Sequence, residues 1–261
     1  MHSDDTPAIV VEQVSKRYLL RSVGRQALKT TLLTLPALLL NRQTRNAFWA
    51  LQDISFTVPR GQCLGLVGHN GSGKSTLLRT MGGISPPTSG RVETNGRVSS
   101  LLELGAGFHP QLSGRENALL NAVLLGLSLR EAREALPEIL AFSELGDFID
   151  QPMLTYSSGM FMRLGFAVAV HVKADILLVD EVLAVGDAEF QRKCYTHMEG
   201  LRASGATIVL TSHDLQAIHR YTDRVILLDH GRIALEGEPK MVLHEYMMRV
   251  FPPKAEAVAT S

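Results

Sequence analysis

The run Gly68-His69-Asn70-Gly71-Ser72-Gly73-Lys74-Ser75-Thr76 satisfies G-x-x-x-x-G-K-[ST], a pattern that wraps nucleotide phosphates. Its residue types suit that chemistry. Glycines let the backbone bend until successive N–H groups converge on anionic oxygens. A helix starting at the end of the loop adds its positive dipole. Lys74 is placed to reach the outer phosphates, and Ser75 to offer a hydroxyl to Mg²⁺. A second signal is Ile176-Leu177-Leu178-Val179-Asp180-Glu181. Four apolar residues bury a strand and push Asp180 to its C-terminal end, where ligands collect in open α/β sheets. Asp180 can hold Mg²⁺ there through oxygen ligation. Glu181, one residue on, can act as general base toward an attacking water.

Three weaker signals accompany these. Tyr156-Ser157-Ser158-Gly159-Met160 opens an amphipathic pattern with Phe161, Leu164 and Val168 on one face. Ser157 or Ser158 caps that helix and leaves N–H groups for an anion. His213 lies in Thr211-Ser212-His213-Asp214, and Tyr18 ends Ser15-Lys16-Arg17. Taken singly, these three read better as a plain helix start, a strand-end histidine and a half-buried core tyrosine.

The elements that must position these residues can be read from periodicity and punctuation. Strands are expected over Ala8 to Val14, Ile54 to Val58, Cys63 to Val67, Val98 to Leu102, Ile176 to Val179 and Ala206 to Leu210. Asp229-His230-Gly231 reads as a hairpin turn between Arg224–Leu228 and Arg232–Leu235. From Leu112 to about Val172 the pattern is mostly helical, with capping boxes at Ser113/Glu116 and Ser128/Glu131. Pro137 should kink or split the second of those helices. Asp187 is the expected N-cap of a helix from about Ala188 to Arg202, and a last helix covers about Lys240 to Phe251.

In order and spacing, the phosphate loop, the Ser157–Gly159 stretch and the Asp180-Glu181 strand end resemble the nucleotide-binding subunits of ATP-binding cassette (ABC) transporters. That family's L-S-G-G-Q signature aligns with Tyr156-Ser157-Ser158-Gly159-Met160, keeping the Ser and the second Gly. The resemblance implies ATP and Mg²⁺ as cofactors. It also implies roles: Tyr18 on adenine, His213 at the γ-phosphate, and Asp187 at a dimer interface. Ser157, Ser158 and Gly159 of a second copy would close over the ATP held by Gly68–Thr76. The family's Mg²⁺-contacting glutamine is missing. Glu103 or Leu104 stands at its place, and Glu103 would supply the oxygen ligand.

Leu101 to Pro110, followed by Ser113-Gly114-Arg115-Glu116-Asn117, Asp180 to Asp187 and Phe48-Trp49-Ala50-Leu51 resemble the polysaccharide exporters of the family. These export O-antigen, capsular polysaccharide or teichoic acid. By resemblance, the fold is a P-loop NTPase (RecA-like) core with a mostly parallel sheet, an N-terminal antiparallel β part and an inserted α-helical subdomain. One ABC ATPase domain spans 1–251, with the helical subdomain at about 105–172, a basic insertion at about 19–47 and a flexible tail at 252–261. The implied function is ATP hydrolysis driving export of a lipid-linked polysaccharide. The implied partners are a separate integral membrane permease and a second copy of the chain, at the cytoplasmic face of the cytoplasmic membrane.

Composition bounds the alternatives. The chain has 261 residues, 45% hydrophobic and 20% charged, with 26 Lys+Arg against 26 Asp+Glu. That neutrality argues against nucleic acid as a partner. The charge is nevertheless uneven. Between Gln13 and Gln52 there is no acidic residue, while Lys16, Arg17, Arg21, Arg25, Lys29, Arg42 and Arg45 all lie there. The stretch is either a solvated loop or a surface for anionic lipid or an acidic partner. Leu32 to Leu40, nine mostly apolar residues within it, are too few to span a bilayer. Cys63 and Cys194 lack metal or redox spacing and read as free thiols, and the polar start Met1–Thr6 reads as no secretory signal. A GTPase is disfavoured because no N-K-x-D segment is present. A non-transport cassette ATPase and a cassette exporter for another substrate remain open.

Overall fold

The computed structural model describes residues 6–19, 47–180 and 187–251, except for the side chain of Glu103. The basic insertion from Arg21 to Arg45, the tail and Glu181 lie outside the described residues.

The centre is a six-stranded sheet in the order β5-β6-β7-β3-β8-β9. Its strands are β3 (Cys63–Val67), β5 (Val98–Ser100), β6 (Ile176–Val179), β7 (Thr207–Thr211), β8 (Arg224–Asp229) and β9 (Arg232–Gly237). All neighbours run parallel except the β8–β9 pair. A three-stranded antiparallel sheet, β2-β1-β4, is built from β1 (Ile9–Leu19), β2 (Ala47–Val58) and β4 (Ser89–Thr94). The helices are α1 (Lys74–Met81), α2 (Gly114–Leu124), α3 (Leu129–Ser143), α4 (Ser158–His171), α5 (Ala188–Ala203), α6 (Leu215–Tyr221) and α7 (Pro239–Val250).

The apolar runs in β3, β6 and β7 are explained by burial on both faces. Leu64, Leu66, Ile176, Leu178 and Val209 point into a core shared with α1 and with Ile9, Val11, Ile54 and Phe56 of the antiparallel sheet. Their alternates Cys63, Val67, Leu177, Val179 and Leu210 join a second core, which Ala118, Ile139, Leu164 and Phe166 of the helices complete. The period-two side-chain alternation of a strand therefore feeds two cores at once.

The fold expected from sequence is the one found, with local corrections. β1 and β2 are longer than the apolar runs suggest, because each carries a bulge. Gln13 and Asp53 take positive φ (48° and 52°), and their N–H groups donate to Ser55 Oγ and Ser15 Oγ across the pair. Pro137 does not split its helix, since α3 runs unbroken from Leu129 to Ser143. The expected strand through Leu102 stops at Ser100 and continues as a 3₁₀ turn over Leu101–Glu103. β4 was not foreseen; its exposed, polar edge sequence carries no hydrophobic period. Both capping boxes form, and Ser157, not Ser158, caps α4.

Candidate functional site

Val67 ends β3, and the chain turns at once into the phosphate loop. Gly68, Gly71 and Gly73 all take positive φ, at 150°, 83° and 111°. Two of them are also pressed against backbone. A Cβ on Gly68 would stand 2.3 Å from Leu228 O, and one on Gly73 would stand 2.6 Å from Ala50 O. Only glycine fits there, so the loop lies flat on the ends of β2 and β8. Ser72 N donates to His69 O at 3.1 Å, Leu77 N to Gly73 O at 2.9 Å, and Gly231 N to Ser72 O at 2.9 Å, anchoring the loop at both ends. Lys74 is only 5% exposed, and its Nζ donates to Gly68 O at 2.8 Å and His69 O at 3.3 Å. The ammonium is therefore held inside the curve of the loop.

Above the loop lies an open cleft of about 270 Å³, lined by Asn70, Gly71, Gly73, Lys74, Ser75 and Thr76, with Phe48 and Ala50 closing one side. Phe48 pairs directly with Tyr18 across β1 and β2, so the two rings share one face. Both are exposed, at 39% for Tyr18 and 50% for Phe48. Arg17 and Trp49, the next pair, stack on each other instead, with the guanidinium 5.5 Å from the ring centroid. Phe48 therefore stands beside Tyr18, the residue expected to meet adenine. In the sequence Phe48 marks only the subfamily; its place opposite Tyr18 depends on the pairing of β1 with β2.

Asp180 leaves the end of β6 and accepts a hydrogen bond from Thr211 Oγ1 at 2.5 Å. Thr211 ends β7, next to β3 in the sheet, and His213 follows two residues later, exposed. The phosphate loop, Asp180 and His213 therefore follow the C-terminal ends of three adjacent strands. Thr211 is a further site residue missed from sequence; its signal was its place at the strand end just before Ser212-His213. The residues present fit a magnesium nucleotide. Ser75 and Asp180 are hard oxygen donors suited to Mg²⁺, while the glycine cradle, Lys74 and the start of α1 suit phosphate oxygens.

Other expected residues lie apart from this cleft. Ser157 Oγ accepts from Met160 N at 3.2 Å and caps α4. Ser157 and Ser158 are exposed, and a Cβ on Gly159 would have only Ser157 Oγ within 4 Å. Tyr156, at the family's leucine position, is a structural post: its hydroxyl donates to Phe148 O at 2.8 Å. Asp187 caps α5 through Phe190 N at 2.9 Å and receives Arg163 at 2.7 Å. The Phe190 N–H, with Arg163 assisting, holds the Asp187 carboxyl below the usual aspartate range. Glu103 ends the 3₁₀ turn at Leu101–Glu103. The half-buried Leu104 beside it borders a groove of about 280 Å³ shared with Gly105, Leu124 and Gly165. No helix among the described residues is long and apolar enough to cross a membrane.

Known proteins with this arrangement bear out the family. The family model described as ABC transporter matches residues 51–184. The chain is 46% identical over 254 residues to the O-antigen export system ATP-binding protein RfbB of Myxococcus xanthus, covering 97% of this chain and 58% of that protein. It is 48% identical to the RfbB protein of Klebsiella pneumoniae, covering 76% of this chain and 81% of that one. Against the teichoic acids export ATP-binding protein TagH of Lactococcus lactis it is 46% identical, covering 79% of this chain and 44% of that protein. It thus spans little more than half of the Myxococcus relative. In fold it is similar to a dimeric ATP-binding cassette solved in a post-hydrolysis state with ADP and Pi, with a TM-score of 0.71 at 21% identity over 88% of this chain and 98% of that one. A solved ATP-binding subunit of an ABC transporter gives a TM-score of 0.71 at 22% identity, covering 94% and 95% of the two chains. The chain belongs to the ABC transporter family.

Proposed function

We propose that the chain is the ATP-hydrolysing subunit of an exporter that moves a lipid-linked polysaccharide of O-antigen, capsule or teichoic-acid type across the cytoplasmic membrane. The observation that carries the mechanism is the composition of the phosphate cleft. Among the described residues its lining comes from the loop, the start of α1 and β2, while the Ser157–Gly159 helix start stands uncovered elsewhere. Both faces of a γ-phosphate need donors to stabilise the charge that develops during transfer. A head-to-tail pair of chains meets that need, with Ser157, Ser158 and Gly159 of one facing Gly68–Thr76 of the other.

Within each site the residues divide the work. Tyr18 and Phe48 stack on the base. Lys74 neutralises the outer phosphates. Ser75 and Asp180 would hold Mg²⁺, with Glu103 offering a third oxygen, and the ion would draw charge from the phosphate oxygens. Thr211 fixes the Asp180 carboxylate. Glu181 takes the proton of the attacking water, and His213 contacts the γ-phosphate as it separates. Asp187 sits where the partner copy would meet α5.

The permease is a separate chain, and the ATPase rests peripherally on the cytoplasmic face of the membrane. The groove beside Leu104 is the place for the permease contact. It adjoins the family's coupling position and exposes Leu124 at 61%. The polysaccharide assignment rests on the O-antigen and teichoic-acid export names of the relatives. Its test is to purify the chain from membranes with its companion and measure ATP hydrolysis with added lipid-linked glycans. Stimulation by a polysaccharide lipid, abolished in Lys74→Ala and Glu181→Gln, is expected. Hydrolysis indifferent to any glycolipid, with no membrane protein co-purifying, would favour a non-transport cassette ATPase.

A further inference from the structure

Beside the phosphate loop lies a side-chain cluster that ATP chemistry does not use. Val67 and Leu227 are paired in the parallel β3–β8 ladder, so His69 and Asp229, each two residues further on, emerge side by side. The β8–β9 connection is a two-residue hairpin whose central residues, His230 and Gly231, both have positive φ, 45° and 76°. That type I′ geometry brings His230 back over Asp229. The rings of His69 and His230 stand 4.8 Å apart, and one ligand atom from each of the three residues lies within 4.8 Å of the others.

Hydrogen bonding at His69 makes this more than proximity. Its Nδ1 is 2.7 Å from Asn70 O, and a carbonyl oxygen only accepts, so Nδ1 carries a proton. In the neutral ring, Nε2 then presents a bare lone pair to Asp229 Oδ1 at 3.2 Å. That spacing is satisfied either by a second proton on the ring, giving an ion pair, or by a bound cation between the two atoms. The gap has a metal's size: ligands about 2.0–2.1 Å from a tetrahedral Zn²⁺ stand roughly 3.3 Å apart. Donation of the far ring N–H to a backbone carbonyl is the outer-shell arrangement that orients metal-ligating histidines. His230 Nε2 lies 3.7 Å from the same Oδ1, on an exposed ring. The other carboxylate oxygen, Oδ2, faces Arg249 at 3.8 Å, leaving Oδ1 to the imidazoles.

We propose that His69 Nε2, Asp229 Oδ1 and His230 Nε2 form a three-ligand site for a Zn²⁺-type transition metal, with its fourth position open to water. The nitrogen-rich donor set favours such an ion over Mg²⁺. The site is distinct from the Ser75–Asp180 oxygens. A bound ion ties the phosphate loop to the β8–β9 turn, adding a clasp to the Gly231 N–Ser72 O hydrogen bond already there.

The test titrates Co²⁺ and Zn²⁺ into the nucleotide-free full-length protein. Asp229→Asn and His230→Asn serve as ligand deletions, and His197→Ala, a histidine outside the cluster, as control. Asparagine at 230 tolerates the positive φ of the turn, and an unchanged metal-free melting temperature verifies the fold. One Co²⁺ per chain with tetrahedral visible bands is expected, weakened at least about tenfold in both ligand variants and unchanged in His197→Ala. Binding that survives both deletions, or that disappears in His197→Ala, overturns the proposal. So does the absence of binding, which would mean that a second proton on His69 fills the gap.

Discussion

Replacing Gly73 by alanine tests the phosphate loop most sharply, because two separate costs coincide there. The residue sits at φ 111°, a conformation that costs an L residue about 1–3 kcal/mol. The new Cβ would also lie 2.6 Å from Ala50 O and 3.0 Å from Leu51 Cδ2. A strand carbonyl cannot rotate aside, so β2 must move, and forced overpacking adds about 1–3 kcal/mol. Together these lower the melting temperature by roughly 5–20 °C at about 2–4 °C per kcal/mol for a chain of this size. The displaced segment holds Phe48 and Ala50, which line the cleft, so ATP affinity should fall as well. Gly71→Ala is the internal control. Its φ is also positive, at 83°, but nothing lies within 4 Å of the added atom. It meets the conformational cost alone and should lose at least about 1 kcal/mol less. Thermal melts and equilibrium ATP titrations of both variants decide the matter. If Gly71→Ala is destabilised as much as Gly73→Ala, the close packing of loop on β2 is refuted.

Three further outcomes follow from the structure. Tyr18→Ala and Phe48→Ala should each weaken ATP by about 1–3 kcal/mol, the worth of one base–aromatic stack, while inorganic tripolyphosphate binds unchanged; equal losses for both ligands would mean that the rings only support the fold. Burial pushes the Cys63 and Cys194 thiols up to about 12, so native protein at pH 8 should alkylate at least about a hundredfold more slowly than unfolded protein, and fast labelling without unfolding would contradict the packing. Burial also lowers the affinity of His171 for a proton below its usual 6.5; the unfolded chain then binds that proton more readily, so stability should be full above pH 6.5 and decline as pH falls below it, with a shallower decline in His171→Gln, whereas an identical slope would remove His171 as the cause.

Much of the site could be read before the fold because its chemistry is local in sequence. The phosphate loop needs glycines, Lys74 and Ser75 within nine residues, and Asp180 is delivered by the four apolar residues before it. Capping at Ser113, Ser128 and Asp187 is equally local, which is why those helix starts are where the pattern puts them. What escaped depends on pairing between distant segments. Phe48 joins Tyr18 only through the β1–β2 register. β4 pairs with β1 through its backbone and needs no apolar period. The long β1 and β2 strands hide their continuity behind the bulges at Gln13 and Asp53, where polar residues break the alternation. Pro137 failed as a helix breaker because α3 packs against α4 and α2, and tertiary packing overrides local propensity.

The central claim is that each phosphate cleft is completed by another copy of the chain, and mixing two inactive variants tests it. Lys74→Ala destroys one half of the site and Gly159→Asp the other. In a head-to-tail pair of the two, one site carries both defects and the other carries none. Equal amounts of the two variants should therefore hydrolyse ATP at about a quarter of the wild-type rate, because about half of the dimers are mixed and each holds one intact site of two. A mixture no more active than either variant alone would contradict the account.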